Sequence, residues 1–244
     1  DNGSGIPFAH VELAFERHAT SKIDSLEDLA VVQTLGFRGE ALPSIAAVAD
    51  VELSTRFSDE ALGTTLSLHG DHIVQRERQP RSRGTTIAVR RLFHHLPARL
   101  KFLKQDLTER RAIDNLLTRY ALAYPSVRFR LDQDGKTILN TSGDGDRRAI
   151  LASLYGVDTA KQMLECNAEE EGLKLAGFIS PTSLTRSNRK DITFFVNGRW
   201  IQDVPLTTAL LQAYHTLLMV GRYPLSVLFL EIEPAEVDVN VHPA

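Results

Sequence analysis

The chain has 244 residues, 43% of them hydrophobic, and a formal net charge of −3. That apolar content excludes a disordered chain, and the slightly negative balance excludes a nucleic-acid binder that is basic throughout, although a local basic patch remains open. A single cysteine, Cys166, excludes an internal disulfide, and no run approaches the roughly 20 apolar residues of a membrane-crossing helix.

The first residue is Asp1, which opens directly into a glycine turn at 1–6; this implies a piece cut from a longer chain. Pro7 suits the first turn of a helix, where its missing N–H is harmless, and Val11, Ala14, Phe15 and His18 follow at helical spacing. A polar break at 18–22 follows, then Ser25 and Asp28 in a capping arrangement before a short helix through Leu29. A second glycine loop at 36–39 runs into a helix at 40–48, with Pro43 in its first turn. Period-two alternation predicts strands at 51–56, 64–68 and 85–89, with turns at 58–63 and 79–84. A long helix is expected at 97–123, ended by Pro125, and then a hairpin with strands at 127–131 and 137–139 around Asp134-Gly135. Residues 141–146 form the best linker. Beyond it come a helix at 148–155, strands at 173–179 and 192–196, a helix at 205–218, and strands at 226–232 and 237–241. The reading is α+β, in two domains of 1–145 and 146–244.

Four stretches carry candidate chemistry. In Asp1-Asn2-Gly3-Ser4-Gly5-Ile6 the glycines permit positive φ and close approach to a ligand, and the carboxylate can accept from an exocyclic amine; a plain turn fits equally. Gly36-Phe37-Arg38-Gly39-Glu40-Ala41-Leu42 is a loop entering a helix N-terminus, where free N–H groups suit phosphate, or else merely a helix cap. It is not a Walker loop. Arg17-His18-Ala19-Thr20-Ser21-Lys22 is either a polar site segment or a helix end with its usual basic residues. Gly84-Thr85-Thr86 opens a strand and says little alone. No cysteine or histidine spacing points to a metal, and Cys166 reads as an ordinary thiol.

Together, in order and spacing, these stretches resemble the nucleotide-binding motifs of the GHKL ATPase superfamily, and the wording of 17–23 and 34–42 resembles MutL-type DNA mismatch repair proteins. Phe195-Val196-Asn197-Gly198-Arg199 and Asp238-Val239-Asn240-Val241-His242-Pro243-Ala244 agree with it, so the resemblance runs from end to end. It implies a GHKL (Bergerat-type) ATP-binding α/β sandwich at 1–145, lacking its first helix and strand, followed by a ribosomal-type α+β transducer domain at 146–244.

The resemblance also implies roles. Asp1 accepts from the adenine amine, with Gly3 and Gly5 close to the base and Thr85 supporting adenine recognition. Thr20, Ser21 and Lys22 lie near ribose or phosphates. Gly36, Phe37, Arg38, Gly39, Glu40, Ala41 and Leu42 form a lid over the terminal phosphates. The family's general base and its Mg-binding Asn precede the Asp1 turn, and a phosphate-reaching lysine follows His-Pro-Ala. ATP with Mg is the implied cofactor, the parent is an implied ATPase, and the fragment alone is expected to be inactive. Arg186, Arg189, Lys190 and Arg199 are candidates for a non-specific DNA surface, against the plainer alternative of a solvated basic loop. Implied partners are DNA, a mismatch-recognition protein, and a second copy or paralogue joined in an ATP-dependent way. No membrane is expected, and the location is intracellular, in bacterial cytoplasm or nucleoid, or in a nucleus. The family's Asn-x-Pro-Ala-Arg is here His95-Leu96-Pro97-Ala98-Arg99 after His94, which reads as a divergent structural turn. A type II topoisomerase-like ATPase subunit and a non-hydrolysing DNA- or partner-binding adaptor are the competing readings.

Overall fold

The structure, a computed structural model, describes residues 1–21, 36 and 38–237. It divides into two compact units, Asp1–Lys104 and Gln105–Ala244. The division falls away from the expected boundary near 145, for a reason that lies in the core of the second unit.

In the first unit the described residues form a four-stranded antiparallel sheet. Its strands are β1 (Asp50–Arg56), β2 (Gly63–His69), β3 (His72–Gln79) and β4 (Gly84–Arg90), in the order β3-β2-β1-β4. Alternation decides what faces inward: Val51 and Leu53 of β1 and Leu66 and Leu68 of β2 are buried together with Val11 and Ala46. The short helix α1 (Ala41–Ala46) contributes Leu42 and Ile45 to the same cluster. β3 was not expected. Its eight residues are exposed throughout, so no burial pattern marks it, and it is held by backbone pairing to β2. Arg76 and Arg78 on β3 lie over the Phe8 ring, at 3.9 and 4.6 Å from its centroid.

The helix expected after Pro7 is instead two 3-10 turns, Phe8–His10 and Leu13–Phe15. Side chains from the β1–β2 turn and from β3 hold this segment by its backbone. The Phe8 N–H donates to Glu60 Oε1 (2.8 Å), and the Phe8 carbonyl accepts from Arg76 (2.7 Å). The helix expected at 97–123 is also broken, into α2 (Pro97–Leu100) and α3 (Asp106–Ala123), because Gln105 is extended at φ −59, ψ 145.

The second unit has a five-stranded sheet in the order β11-β10-β13-β8-β7. Its strands are β7 (Leu164–Glu170), β8 (Leu173–Ile179), β10 (Ile192–Val196), β11 (Arg199–Ile201) and β13 (Ser226–Ile232). β10 and β13 are parallel, and the remaining pairs are antiparallel. Both sheet faces are covered, so successive residues of the central strands enter different cores. Phe195 and Val227 face α3, α4 (Arg147–Tyr155) and α5 (Val157–Gln162), while Phe194, Val196, Leu228 and Leu230 pack with Leu210 of α6 (Val204–Ala213). The first of these cores explains the unit boundary. Ala121 and Leu122 of α3, and Leu139 of the hairpin β5 (Arg130–Gln133) and β6 (Lys136–Asn140), share one cluster with Ile150, Leu151 and Phe178. The 141–146 stretch is thus an internal connection within one compact unit, and Asp146 caps α4 by accepting from the N–H groups of Arg148 and Ala149. A second small ribbon pairs β9 (Thr185–Arg186) with β12 (Tyr223–Pro224). The expected hairpin turn is formed with Asp134 at φ 49 and Gly135 at φ 74. The short helix expected after Ser25, and the strand expected at 237–241 beyond Val237, lie outside the described residues.

Candidate functional site

In the first unit, the glycine turn at the start of the chain is stitched to the start of β4. The Asp1 backbone N donates to the Thr85 carbonyl (2.8 Å), and the Thr85 N–H reaches Asp1, 3.2 Å from Oδ1 and 3.3 Å from its carbonyl. Oδ1 also accepts from the Gly3 N–H (2.9 Å). Two amides therefore orient the Asp1 carboxylate through one oxygen and leave Oδ2 for another donor. The glycines are geometric requirements here. Gly5 has φ 75, and a Cβ on it would stand 2.0 Å from the Arg56 carbonyl; Gly84 has φ 112, and its Cβ would stand 2.1 Å from the Asp1 carbonyl.

Sequence reasoning missed Thr55, which lies beneath this turn. Its buried hydroxyl accepts from the Ile6 N–H (2.9 Å) and lies 2.9 Å from the Thr85 hydroxyl, on the opposed strand. The signal was available: β1 buries Val51, Leu53 and Thr55 at alternate positions, and a hydroxyl at the third of these needs a partner. Arg83 was also missed; its Nε donates to the Gly3 carbonyl (2.9 Å).

The structure also brings together the 17–21 stretch and the second glycine loop. His18 Nδ1 lies 2.8 Å from Glu40 Oε1, and His18 itself takes a positive φ of 64. Gly39, at φ 62, packs on the Ala19 backbone so tightly that a Cβ would stand 2.3 Å from the Ala19 carbonyl. Glu40 occupies the N-cap position of α1 but makes no side-chain cap bond, so its carboxylate is directed to His18 instead. Ala41 and Leu42 begin α1, and Leu42 is anchored in the core. Thr20, Ser21, Gly36 and Arg38 lie in these two stretches, while Lys22 and Phe37 lie outside the described residues.

In the second unit the four basic candidates are divided among β9, the loop after it and β11. Arg186 on β9 is paired with Asp191 (Nε to Oδ2, 2.7 Å), and Arg189 lies 5.2 Å from the centroid of the Tyr223 ring. Lys190 is exposed on the same loop. Arg199 is on β11, near the Tyr124 phenol, whose pKa is raised by burial and by Tyr120 and opposed by Arg199. Burial pushes the Tyr155 phenol up to about 12, with Asp191 adding to the shift and Arg186 and Arg119 opposing it. Sequence reasoning missed Arg222, which donates to the Thr185 hydroxyl (2.9 Å) beside β9.

His94 and His95 meet edge-to-face at 4.7 Å. His95 Nε2 lies 3.1 Å from the Ala47 carbonyl and His94 Nδ1 lies 2.9 Å from the Arg91 carbonyl, so the pair tethers the turn before α2. They line a cleft of about 510 Å³ with Asp50, His69, His72 and Arg91. The Asp50 carboxyl is held below the usual carboxylate range by hydrogen bonds from His69 and then Arg91. Among the described residues, no group of three or more His, Cys, Asp or Glu side chains could hold a metal ion, and no helix is long and apolar enough to cross a membrane. Burial raises the pKa of the Cys166 thiol.

Comparison with known proteins adds an independent finding. Residues 151–244 match the family described as DNA mismatch repair protein, C-terminal domain. The whole chain is 50% identical over 244 residues to the DNA mismatch repair protein MutL of Geobacillus kaustophilus, and 48% identical to that of Listeria monocytogenes. These matches cover 100% of this chain but 39% and 40% of those proteins, so the chain spans about two-fifths of the length of the curated relatives it matches. Among solved structures it is similar to the Aquifex aeolicus MutL ATPase domain complexed with ADP. That match has a TM-score of 0.71 and 29% identity, over 96% of this chain and 78% of that one. It is also similar to the N-terminal domain of a DNA repair protein, with a TM-score of 0.81 and 27% identity over 100% of this chain and 76% of that one. The ATPase region of Saccharomyces cerevisiae topoisomerase II shares the fold, with a TM-score of 0.52 at 12% identity over 95% of this chain and 62% of that one.

Proposed function

The chain belongs to the MutL family of DNA mismatch repair proteins, and we propose on that footing that it is the ATP-binding part of a parent ATPase. The observation that carries this reading is the Asp1 carboxylate, oriented by the Gly3 and Thr85 amides with one oxygen left for a ligand. A carboxylate so held accepts from an amine and has no proton to donate, so it favours adenine, which offers an exocyclic amine where guanine offers a carbonyl. Gly5 lets the turn pack on the end of β1, Gly84 lets β4 pack on Asp1, and the Thr85 hydroxyl pairs with that of Thr55 beneath the turn. Thr20, Ser21 and Lys22 would face ribose and phosphates. The 36–42 segment would close over the terminal phosphates, its amides holding the anion. Mg²⁺ would accompany the triphosphate, and we assign it to no described residue.

In this reading, ATP binding at the 36–42 segment promotes self-association, or pairing with a paralogue, around non-specifically bound DNA inside the cell. It also couples a mismatch-recognition protein to later repair. Arg189 and Lys190 are the proposed phosphate contacts. Arg186 contributes through its pair with Asp191, and Arg199 from β11. The topoisomerase-like alternative is set aside, because the identity to MutL proteins runs over the whole chain while the topoisomerase likeness is one of fold.

The decisive experiment is calorimetry of ATP and GTP binding by the full-length parent protein and its Asp1→Asn variant. The amide side chain would present a donor to the adenine amine, and ATP affinity should fall by about 1–3 kcal/mol while weak GTP binding changes little. Equal losses for the two nucleotides would remove Asp1 as the base reader.

A further inference from the structure

The turn that links α6 to β12 carries four consecutive apolar residues, Leu217 to Val220, and a single one of them, Leu218, packs against the core. Leu217 is 59% exposed, Met219 83% and Val220 104%. Apolar side chains grouped at one projecting tip mark a contact surface. The turn is also braced. The Leu217 N–H donates to the Tyr214 carbonyl and the Arg222 N–H to the Met219 carbonyl, each at 3.0 Å, while Thr216 at φ 71 and Gly221 at φ 80 set its path.

The flanks of the tip are basic. Arg222 follows it after Gly221 and is fixed to Thr185, and Arg189 lies over Tyr223, with Lys190 next in the chain. Within 180–191 and 214–224 there is one carboxylate, Asp191, and Arg186 already holds it. A patch with this balance, in a chain of net charge −3, is complementary to a polyanion.

Resting on the reading of this unit as DNA-binding, we propose that the 216–222 turn is a wedge for duplex DNA. Arg189, Lys190 and Arg222 hold phosphates, while Leu217, Met219 and Val220 press against base edges or an unstacked step. Proteins that combine apolar wedges with flanking cations bind DNA in this way. Membership of a DNA repair family favours DNA over an anionic lipid surface. So does geometry, because the apolar residues sit on one tight turn and do not form the long stripe of an interfacial helix.

The two components separate by salt. Binding of a fluorescein-labelled duplex to the full-length parent protein, followed by anisotropy across a salt series, should give a negative log–log slope. Replacing Arg189, Lys190 and Arg222 together by Ala should reduce that slope by about 2 to 3. Met219→Ser with Val220→Ser should weaken binding roughly tenfold at every salt concentration and leave the slope unchanged, because buried apolar surface releases no counterions. Met219→Phe should retain affinity. Both positions are solvent-exposed, so unchanged thermal melts should accompany each variant. Wild-type affinity in the double serine variant would overturn the wedge while leaving DNA binding by this unit intact. Absence of any DNA binding by the wild-type protein would overturn both. Loss of binding to phosphatidylglycerol vesicles in the double serine variant, with DNA binding unaltered, would make the tip a lipid contact instead.

Discussion

The hydroxyls of Thr55 and Thr85 lie 2.9 Å apart at directly opposed positions of β1 and β4. The surrounding bonds set the direction of this contact. Thr55 has one proton to donate, and the Gly84 carbonyl at 3.3 Å is available to take it. Its two lone pairs then accept from the Ile6 N–H and the Thr85 O–H, which saturates the group. Thr55→Val keeps the shape but strands the Ile6 N–H and the Gly84 carbonyl, and should cost about 1–3 kcal/mol. Thr55→Ser keeps the hydroxyl and should cost less. Urea midpoints of the three proteins test this, and a valine variant as stable as the serine variant would contradict it.

Two glycines of the first unit should respond differently to alanine. Gly70 has φ 63, and a methyl group added there would meet nothing within 4 Å, so Gly70→Ala incurs the left-handed backbone penalty alone, about 1–2 kcal/mol. Gly84 has φ 112, and its Cβ would overlap the Asp1 carbonyl at 2.1 Å. Gly84→Ala should therefore also part Asp1 from Thr85, and lose ATP affinity as well as stability. Gly70→Ala should leave ATP affinity unchanged. Paired melting and nucleotide titrations distinguish the two, and equal ATP affinity in both variants would refute the role of the Asp1–Thr85 contact.

Tyr155 makes the second unit sensitive to alkali. Burial raises its pKa from 10.0 to about 12, so the folded state holds the phenolic proton where the unfolded chain releases it. Between these values the unfolded state binds fewer protons, and stability falls as pH rises. This contribution is complete below pH 10 and is lost through about pH 12, amounting to roughly 2–3 kcal/mol. Tyr155→Phe cannot ionise and should show a shallower loss of stability over that range. An unchanged alkaline limb in the variant would assign the effect to other groups.

Features written in local periodicity were legible in the amino-acid order. Val51 and Leu53 alternate inward, the Asp134-Gly135 pair makes its turn, and residues 192–196 form a strand. The ordered motifs, by their resemblance to a known family, also pointed to the family. Long-range packing settled the rest. β3 has no buried residue, and a strand held by its neighbour's backbone leaves no apolar pattern to read. The 3-10 turns after Pro7 are held by Glu60 and Arg76, more than 50 residues away, which bond the Phe8 backbone N–H and carbonyl. The 141–146 stretch has the composition of a linker, yet Leu122, Leu139 and Leu151 bury in one cluster across it. Likewise, the pairing of Asp1 with Thr85 joins residues 84 positions apart. Local spacing encodes which face of a strand or helix is apolar, but the partner of a backbone group or buried hydroxyl is chosen by tertiary contacts, which periodicity does not contain.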